Sequence, residues 1–218
     1  MAALRDLGAA APADVRRKEV TRLPAGDSNA TVFEFDLAAE NPQQENCCTE
    51  TIFEVGPVAE DPHRNACLSI VSHVASTSAY DRLRTKEQLG YIVQAGGWGE
   101  QHVNGFCVLV QGNRLPPKDV DLRIEAWLER FGTELEDMKE EDFANNVSAV
   151  VSQLTERYAR LSQETSRHWA EIQPRHYRFD RIAKCVEALR SLSKGDVVRF
   201  FNEYLAAAAP SRRKLSVR

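Results

Sequence analysis

Alternating apolar and polar residues in the first quarter of the chain predict β-strands. We expect three of them, over residues 20–23, 31–37 and 49–55. The middle one reads Val-Phe-Glu-Phe-Asp-Leu, a partial alternation that suits a sheet with one wetter face. Residues 1–18 are Ala-rich and lack strong periodicity. We interpret them as a loose lead-in to a single domain over residues 19–218.

A helix is predicted over residues 62–82. Asp61 suits the N-cap position and Pro62 the first helical residue. Two strands follow, over about 90–94 and 103–111, joined by a loop that contains Gly-Gly-Trp-Gly at 96–99. The second of these strands is apolar on both faces, which predicts a position in the middle of the sheet, beneath helices.

Helical periodicity dominates the rest of the chain. Two amphipathic stripes are formed by Val120, Ile124, Trp127, Leu128 and Phe131, and by Phe143, Val147, Val150, Leu154, Tyr158 and Leu161. Further helices are predicted around 165–172 and 179–192. A last helix should begin at Ser193, which with Asp196 has the spacing of a capping box, and end within 206–209.

Residues 213–217 can return as a final strand. The order of elements is three strands, a helix, two strands, several helices and a last strand. This order predicts an α+β fold, with a single, mostly antiparallel sheet and helices packed on one face.

Composition and charge narrow the class of protein. The chain has 218 residues, 43% hydrophobic and 28% charged, enough for a globular domain with its own core. Its formal charge of −4 gives no reason to expect nucleic acid or a membrane surface as a partner. We interpret the short basic cluster 212–214 as a solvated end.

The cysteines and the N-terminal residues indicate the cellular compartment. Five cysteines, with no Cys-x-x-Cys pair, favour reduced thiols over a disulfide framework or a thiolate zinc site. The first twelve residues lack the apolar core of a signal peptide, and no run reaches membrane-spanning length. A cytoplasmic location is therefore expected.

Most catalytic motifs are missing. A zinc peptidase needs His-Glu-x-x-His or its inverse, His-x-x-Glu-His, because two imidazoles one helical turn apart share a face with the carboxylate. The nearest approach starts at His168 and has Glu171, but Ile172 stands where the second imidazole is needed. We predict no metal ligand in this chain. Nucleophile-elbow, Walker and dinucleotide-binding motifs are also missing, and the 96–99 segment is interpreted as a flexible hairpin loop.

One candidate pair of catalytic residues remains, Arg84 and Tyr91. They place a cation and a phenol seven positions apart, around a glycine between a helical run and a strand. On general grounds, an arginine at a helix end is usually solvated and a strand tyrosine usually packs at a rim. Residue chemistry alone thus makes them weak candidates for catalysis.

The segment that holds this pair resembles a known family. Its sequence, Leu-Arg-Thr-Lys-Glu-Gln-Leu-Gly-Tyr-Ile-Val over 83–93, is close to the pattern of the last homologous domain of insulysin/pitrilysin zinc metallopeptidases. Trp-Ala-Glu-Ile at 169–172, Tyr-Arg-Phe-Asp at 177–180 and the C-terminal 208–217 also resemble that domain. Tyr80 and Lys139 depart from the pattern, which usually has Phe and a capping Thr there. Asp137 is the alternative cap.

The resemblance implies a metallopeptidase domain of the mitochondrial processing peptidase-like fold. It implies that Arg84 and Tyr91 reach the scissile peptide, while zinc is bound by the N-terminal domains of the same enzyme. The chain would then be inactive alone and would meet a peptide substrate only beside that partner. The alternative is a stand-alone, non-catalytic peptide-binding or assembly module. Trp98 is either a substrate-facing aromatic or, more in keeping with its loop, a packing residue.

Overall fold

The computed structural model describes residues 45–57 and 61–218, with the isolated positions 22 and 43. The lead-in over 1–18 and the strand predicted over 31–37 lie outside the described residues, as does all but position 22 of the strand predicted over 20–23. The described elements, in chain order, are β1 (Cys47–Pro57), α1 (Pro62–Ala79), a π-helix (Tyr80–Lys86), β2 (Ile92–Glu100), β3 (Val103–Gly112), α2 (Pro117–Asp137), α3 (Glu140–Thr155), α4 (Leu161–Ile172), α5 (Arg181–Ser191), α6 (Lys194–Tyr204) and β4 (Lys214–Val217).

The described strands form one antiparallel sheet in the order β2-β3-β1-β4. This arrangement confirms the predicted α+β fold and the interior position of β3. Phe53 lies opposite Phe106, and both are fully buried. Because side chains alternate along a strand, the same face of β3 also buries Val108 and Val110.

Helices α1, α2 and α6 cover that face. Aromatic side chains of β3, α2 and α6 form a continuous series of ring contacts: Phe106 lies 6.4 Å from Trp127, Trp127 5.3 Å from Phe131, and Phe131 5.8 Å from Phe201, between ring centroids. The indole N–H of Trp127 donates to Ser78 Oγ at 3.0 Å, so its one polar group is satisfied within the core.

The helix predicted over 62–82 is correct at its start and wrong at its end. Asp61 caps it by accepting from the backbone N–H of Arg64 at 3.0 Å. The α-helical part stops at Ala79 and continues as a π-helix. Its wider turn is visible in the bond from Glu87 N–H to the carbonyl of Arg82, five residues earlier, at 2.9 Å.

Other boundaries also differ from the prediction. The Gly-Gly-Trp-Gly segment is part of β2 rather than a loop, and the turn of the hairpin falls at residues 101–102. The long second stripe is broken after Thr155, which leaves Tyr158 41% and Leu161 78% exposed. Asp137 is the last residue of α2 and does not cap α3, whose N-cap residue is Lys139 with no side-chain hydrogen bond.

The C-terminal predictions are mixed. Ser193 and Asp196 form the predicted capping box, but α6 ends at Tyr204, short of 206–209. The final strand is present as β4. The interpretation of the basic cluster as a solvated end is wrong. Arg212 pairs with Glu125 at 2.6 Å, and Lys214 pairs with the same carboxylate at 2.5 Å.

Lys214 also pairs with the buried Asp121, at 2.8 Å, which ties β4 to α2. Thr51 and Ser216 each donate a hydroxyl to the same carboxylate at 3.0 Å. Burial by itself raises the pKa of Asp121, but the hydrogen bond and charge of Lys214, together with the hydrogen bonds from Thr51 and Ser216, outweigh it and hold the pKa below its usual value. The C-terminal residues predicted to be a solvated end are therefore anchored to α2 by these ion pairs, which we call the C-terminal clamp.

The five cysteines are all unpaired. None of the helices in the described ranges has the length and apolar composition needed to cross a bilayer.

Candidate functional site

Arg84 lies in the last turn of the π-helix, and Tyr91 is the last residue of the short segment, residues 87–91, that joins this helix to β2. The Arg84 side chain is half-buried, and within the described part of the chain it forms no hydrogen bond or ion pair. Tyr91 is 57% exposed and immediately precedes β2. Neither side chain is sealed in the core, so both are accessible to a ligand.

The Tyr91 backbone and hydroxyl are both held in place. Its N–H donates to the carbonyl of Gln111 at 3.0 Å, which joins the residue to β3. Asn46 Nδ2 donates to the phenolic oxygen at 3.0 Å. Because that oxygen accepts from Asn46, its own proton is left to donate elsewhere. No local pattern in the sequence points to this contact, which spans 45 positions.

Glu87 fixes the segment between the two candidates. Its carboxylate accepts from Arg82 Nε at 2.6 Å and from Arg123 Nε at 2.7 Å, and Arg114 donates to its backbone carbonyl at 2.8 Å. The hydrogen bond from Arg123, aided by Arg82, holds the pKa of Glu87 below its usual value despite partial burial. Charge-assisted bonds of this kind restrict the backbone that carries Arg84 and Tyr91.

Two special backbone positions complete the turn. Gln88 has a φ of 53°, in the left-handed region that few non-glycine residues occupy. Gly90 lies against β3 so closely that an added Cβ would stand 2.1 Å from the carbonyl oxygen of Gln111. Gly112 faces it from β3, and a Cβ there would meet Gly90 Cα at 2.6 Å. Gly90, the glycine of the family-like segment 83–93, is thus required because two backbones approach each other closely here.

A groove of about 750 Å³ runs beside this segment. Tyr80 and Thr85 of the π-helix line one side, and residues 93–98 of β2 line the other. Arg84 and Tyr91 do not line it themselves, but each is one or two residues from one that does. Trp98 lines the groove and is partly exposed, as a substrate-facing aromatic would be. β2 is an edge strand of the sheet that the described residues form.

The histidine-containing near-motif on α4 is not arranged as a metal site. His168 is exposed and its ring packs 5.9 Å from that of Phe179, between centroids. Glu171 is buried and accepts from Arg181 Nε at 2.7 Å. In the described ranges, no group of three or more His, Cys, Asp or Glu side chains is placed to bind a metal ion. These residues do not fit a resident zinc ion, so no zinc step is assigned to this chain.

Comparison with known proteins adds three findings. Residues 70–169 match the family model described as PQQ synthase PqqF-like, C-terminal lobe domain 4. Insulin-degrading enzyme of Homo sapiens is 33% identical over 183 residues, which cover 84% of this chain and 18% of that protein. The chain thus spans about a fifth of the length of the curated relatives that it matches.

Solved structures support the fold. The crystal structure of pitrilysin superposes with a TM-score of 0.69 at 24% identity, covering 80% of this chain and 18% of pitrilysin. A peptidase M16 inactive domain from Pseudomonas fluorescens superposes with a TM-score of 0.56 at 13% identity, covering 79% of this chain and 40% of that one. At these sequence identities the two structural matches support the α+β fold alone.

Proposed function

Because the chain belongs to the insulysin/pitrilysin family of metallopeptidases, as a relative of the C-terminal-lobe domain, we propose that it is the non-zinc domain of a metalloendopeptidase that degrades peptides. In this proposal residues 19–218 form one domain, located in the cytoplasm. Arg84 and Tyr91 are its substrate-binding and transition-state-stabilising residues, and they serve a zinc site in the N-terminal domains of the same enzyme.

The observation that carries the proposal is the state of the Tyr91 hydroxyl. The side chain is 57% exposed, and its oxygen is positioned by Asn46 at 3.0 Å. The phenolic proton is therefore available to a developing oxyanion, which is stabilised most by donors that are already oriented. The backbone bond to Gln111 and the close Gly90 contact hold the ring's position during the reaction.

Arg84 supplies a fixed positive charge. Among the described residues it has no carboxylate partner, in contrast to its neighbours Arg82, paired with Glu87, and Lys86, paired with Asp81. Its guanidinium is thus free to bind a carbonyl of the substrate and to raise the local positive potential. Zinc held by another domain would supply the Lewis acid for hydrolysis.

The groove beside β2 suits an extended peptide. An edge strand leaves backbone N–H and C=O groups able to pair with an added strand, the mode of recognition known as β-augmentation. Tyr80 and Trp98 flank the groove with aromatic surface. A peptide lying there would pass the segment that carries both candidate residues.

Complementation tests the proposal. The purified chain is mixed with a separately produced zinc-bearing N-terminal half of a family member, and cleavage of a quenched fluorescent peptide is followed. We expect no cleavage from the chain alone and cleavage from the mixture. If the mixture cleaves no faster than the zinc-bearing half alone, the proposal fails.

A second candidate is a stand-alone, non-catalytic peptide-binding or assembly module. Two observations favour this second function. The chain shares its fold with a peptidase M16 inactive domain, and the groove needs no zinc to bind a peptide. It predicts micromolar peptide binding or self-association in the chain alone, and no gain from any zinc-bearing half. Isothermal titration with the uncleaved peptide, run beside the complementation assay, separates the two functions.

A further inference from the structure

Charged side chains are concentrated in the π-helix and the residue that follows it. Three are cations and two are anions: Arg82, Arg84, Lys86, Asp81 and Glu87. Two ion pairs join four of them, Arg82 Nε with Glu87 Oε1 at 2.6 Å and Lys86 Nζ with Asp81 Oδ2 at 2.7 Å. Arg84 lies midway between the two carboxylates in the sequence and, in the described ranges, is paired with neither.

Both ion pairs join residues that are five positions apart, which is the hydrogen-bonding interval of a π-helix. The backbone bond from Glu87 N–H to the carbonyl of Arg82 closes the same interval at 2.9 Å. In an α-helix, with roughly 3.6 residues per turn, side chains five positions apart lie about 140° apart around the axis and do not meet. Both pairs therefore depend on the wider π-helical turn.

An α-helical turn would pair these charges differently. Asp81 and Glu87 each lie three positions from Arg84, one on either side. Residues three positions apart are neighbours on the surface of an α-helix, so Arg84 would have a carboxylate above it and another below it. In the π-helix the two carboxylates are bound by Lys86 and Arg82 instead, and the guanidinium between them is left unpaired.

The two carboxylates are not held equally firmly. Both oxygens of Glu87 are occupied, because Oε2 accepts from Arg123 Nε at 2.7 Å, and the side chain is only 13% exposed. Asp81 is 54% exposed, and Lys86 is its one ion-pair partner in the part of the chain that the structure describes. Asp81 is therefore the carboxylate that a single substitution can release.

We propose that Lys86 is a positioning residue that holds Asp81 away from the Arg84 guanidinium, so that the π-helix presents Arg84 unpaired to a carbonyl of the substrate. An unpaired guanidinium keeps its donors for the ligand, whereas one bound by a carboxylate must first lose that partner. The role of Arg84 in peptide binding rests on the proposed function, but the pairing of the charges does not.

Labelling of the chain alone with phenylglyoxal, which reacts with free guanidino groups, tests the pairing without any peptidase activity. Peptide mass spectrometry gives the rate of labelling at Arg84. Lys86→Ala should slow this rate by about two- to fivefold, the size expected of one exposed ion pair, because the released Asp81 then pairs with Arg84. Addition of Asp81→Asn to Lys86→Ala should restore the parent rate, and Lys86→Arg should keep it.

Lys184→Ala is the matched control. It removes another exposed ion pair of the same length, 2.7 Å, between Lys184 and Asp180. This pair lies at the start of α5, outside the segment that carries Arg84, so the control should leave the labelling rate of Arg84 unchanged. The melting temperature of every variant is recorded, because general unfolding would speed the labelling of Arg84 rather than slow it.

The same variants in the complemented enzyme connect the pairing to catalysis. Lys86→Ala should raise KM by about two- to fivefold with kcat little changed, because the captured guanidinium binds the substrate less often. Addition of Asp81→Asn should reverse this increase. A merely structural role of Lys86 would not be rescued by removal of a second charge.

An Arg84 labelling rate that is unchanged or raised in Lys86→Ala overturns the proposal, as does a decrease that Asp81→Asn does not reverse. If labelling follows the prediction but Arg84→Ala leaves cleavage unchanged, the proposed function fails and the charge pairing stands. If Arg84→Ala impairs cleavage but Lys86→Ala is labelled like the parent chain, the positioning role alone fails.

Discussion

Replacing Gly90 by alanine tests whether the turn between Arg84 and Tyr91 is held by close packing of two backbones. The added Cβ would lie 2.1 Å from the carbonyl oxygen of Gln111 and 2.7 Å from its carbonyl carbon. Cβ atoms essentially never lie closer than 3.0 Å to another heavy atom, so the two backbones must separate by about 1 Å. Neither partner atom belongs to a flexible side chain, and the strain cannot be relieved by a change of rotamer.

The expected cost follows from two effects. Overpacking of this kind costs about 1–3 kcal/mol. Separation of the strands also breaks the bond from Tyr91 N–H to Gln111, which contributes about 1 kcal/mol. We therefore expect Gly90→Ala to lower the free energy of unfolding by about 2–4 kcal/mol, and the melting temperature by about 5–15 °C.

Urea denaturation followed by circular dichroism measures the loss, and Gly96→Ala is the matched control. Gly96 lies on the neighbouring strand, β2, and its added Cβ would meet no atom within 4 Å. The control should therefore stay within about 0.5 kcal/mol of the parent chain. Equal stability of the two variants would show that Gly90 does not hold β2 against β3, and the account of the turn would be wrong.

Three further predictions concern other parts of the chain. Asp121→Asn should lower the free energy of unfolding by about 2 kcal/mol or more at pH 7. Because the folded-state pKa of Asp121 is depressed, its contribution to stability is present above the unfolded-state pKa and is lost as the pH falls through the folded-state pKa. The difference between the variant and the parent chain should therefore shrink in acid melts, and a constant difference down to pH 2 would refute the pairing with Lys214. Ser193→Ala should cost about 1 kcal/mol by removing the N-cap of α6, whereas Ser191→Ala, at the end of α5, should cost less in the same melts. Iodoacetamide at pH 8 should label the exposed Cys48 well before Cys67 and Cys107, because burial raises the pKa values of the latter two thiols to about 12. Peptide mass spectrometry measures the order of labelling, and labelling of Cys67 first would contradict its burial.

Much of the fold could be predicted from local pattern. The apolar run of β3 identified an interior strand, and Asp61 and Ser193 marked helix starts, because caps and burial act over a few residues. Helix ends were less predictable. Residues 80–86, where α1 continues as a π-helix, contact β2 and α2, which lie further along the sequence, so a short-range pattern could not indicate the change.

The contacts around the candidate site depend on distant residues. Asn46, Gln111 and Arg123 reach Tyr91 or Glu87 from separate elements, so the spacing of residues in the sequence could not indicate them. The same holds for the C-terminal clamp, where Lys214 meets Asp121 across 93 positions. For the Gly-Gly-Trp-Gly segment, glycine content favoured a loop, but pairing with β3 on one side is enough to make it a strand.

The most direct test of the central claim is the steady-state kinetics of the complemented enzyme with Arg84→Ala and Tyr91→Phe. If Tyr91 donates to the oxyanion, Tyr91→Phe should lower kcat by about 10²–10³ with KM little changed, because the donor acts mainly in the transition state. Arg84→Ala should raise KM and lower kcat/KM, because the guanidinium binds a carbonyl of the substrate. Full activity in both site variants, in complexes that assemble normally, would contradict the assignment of this segment to the active site.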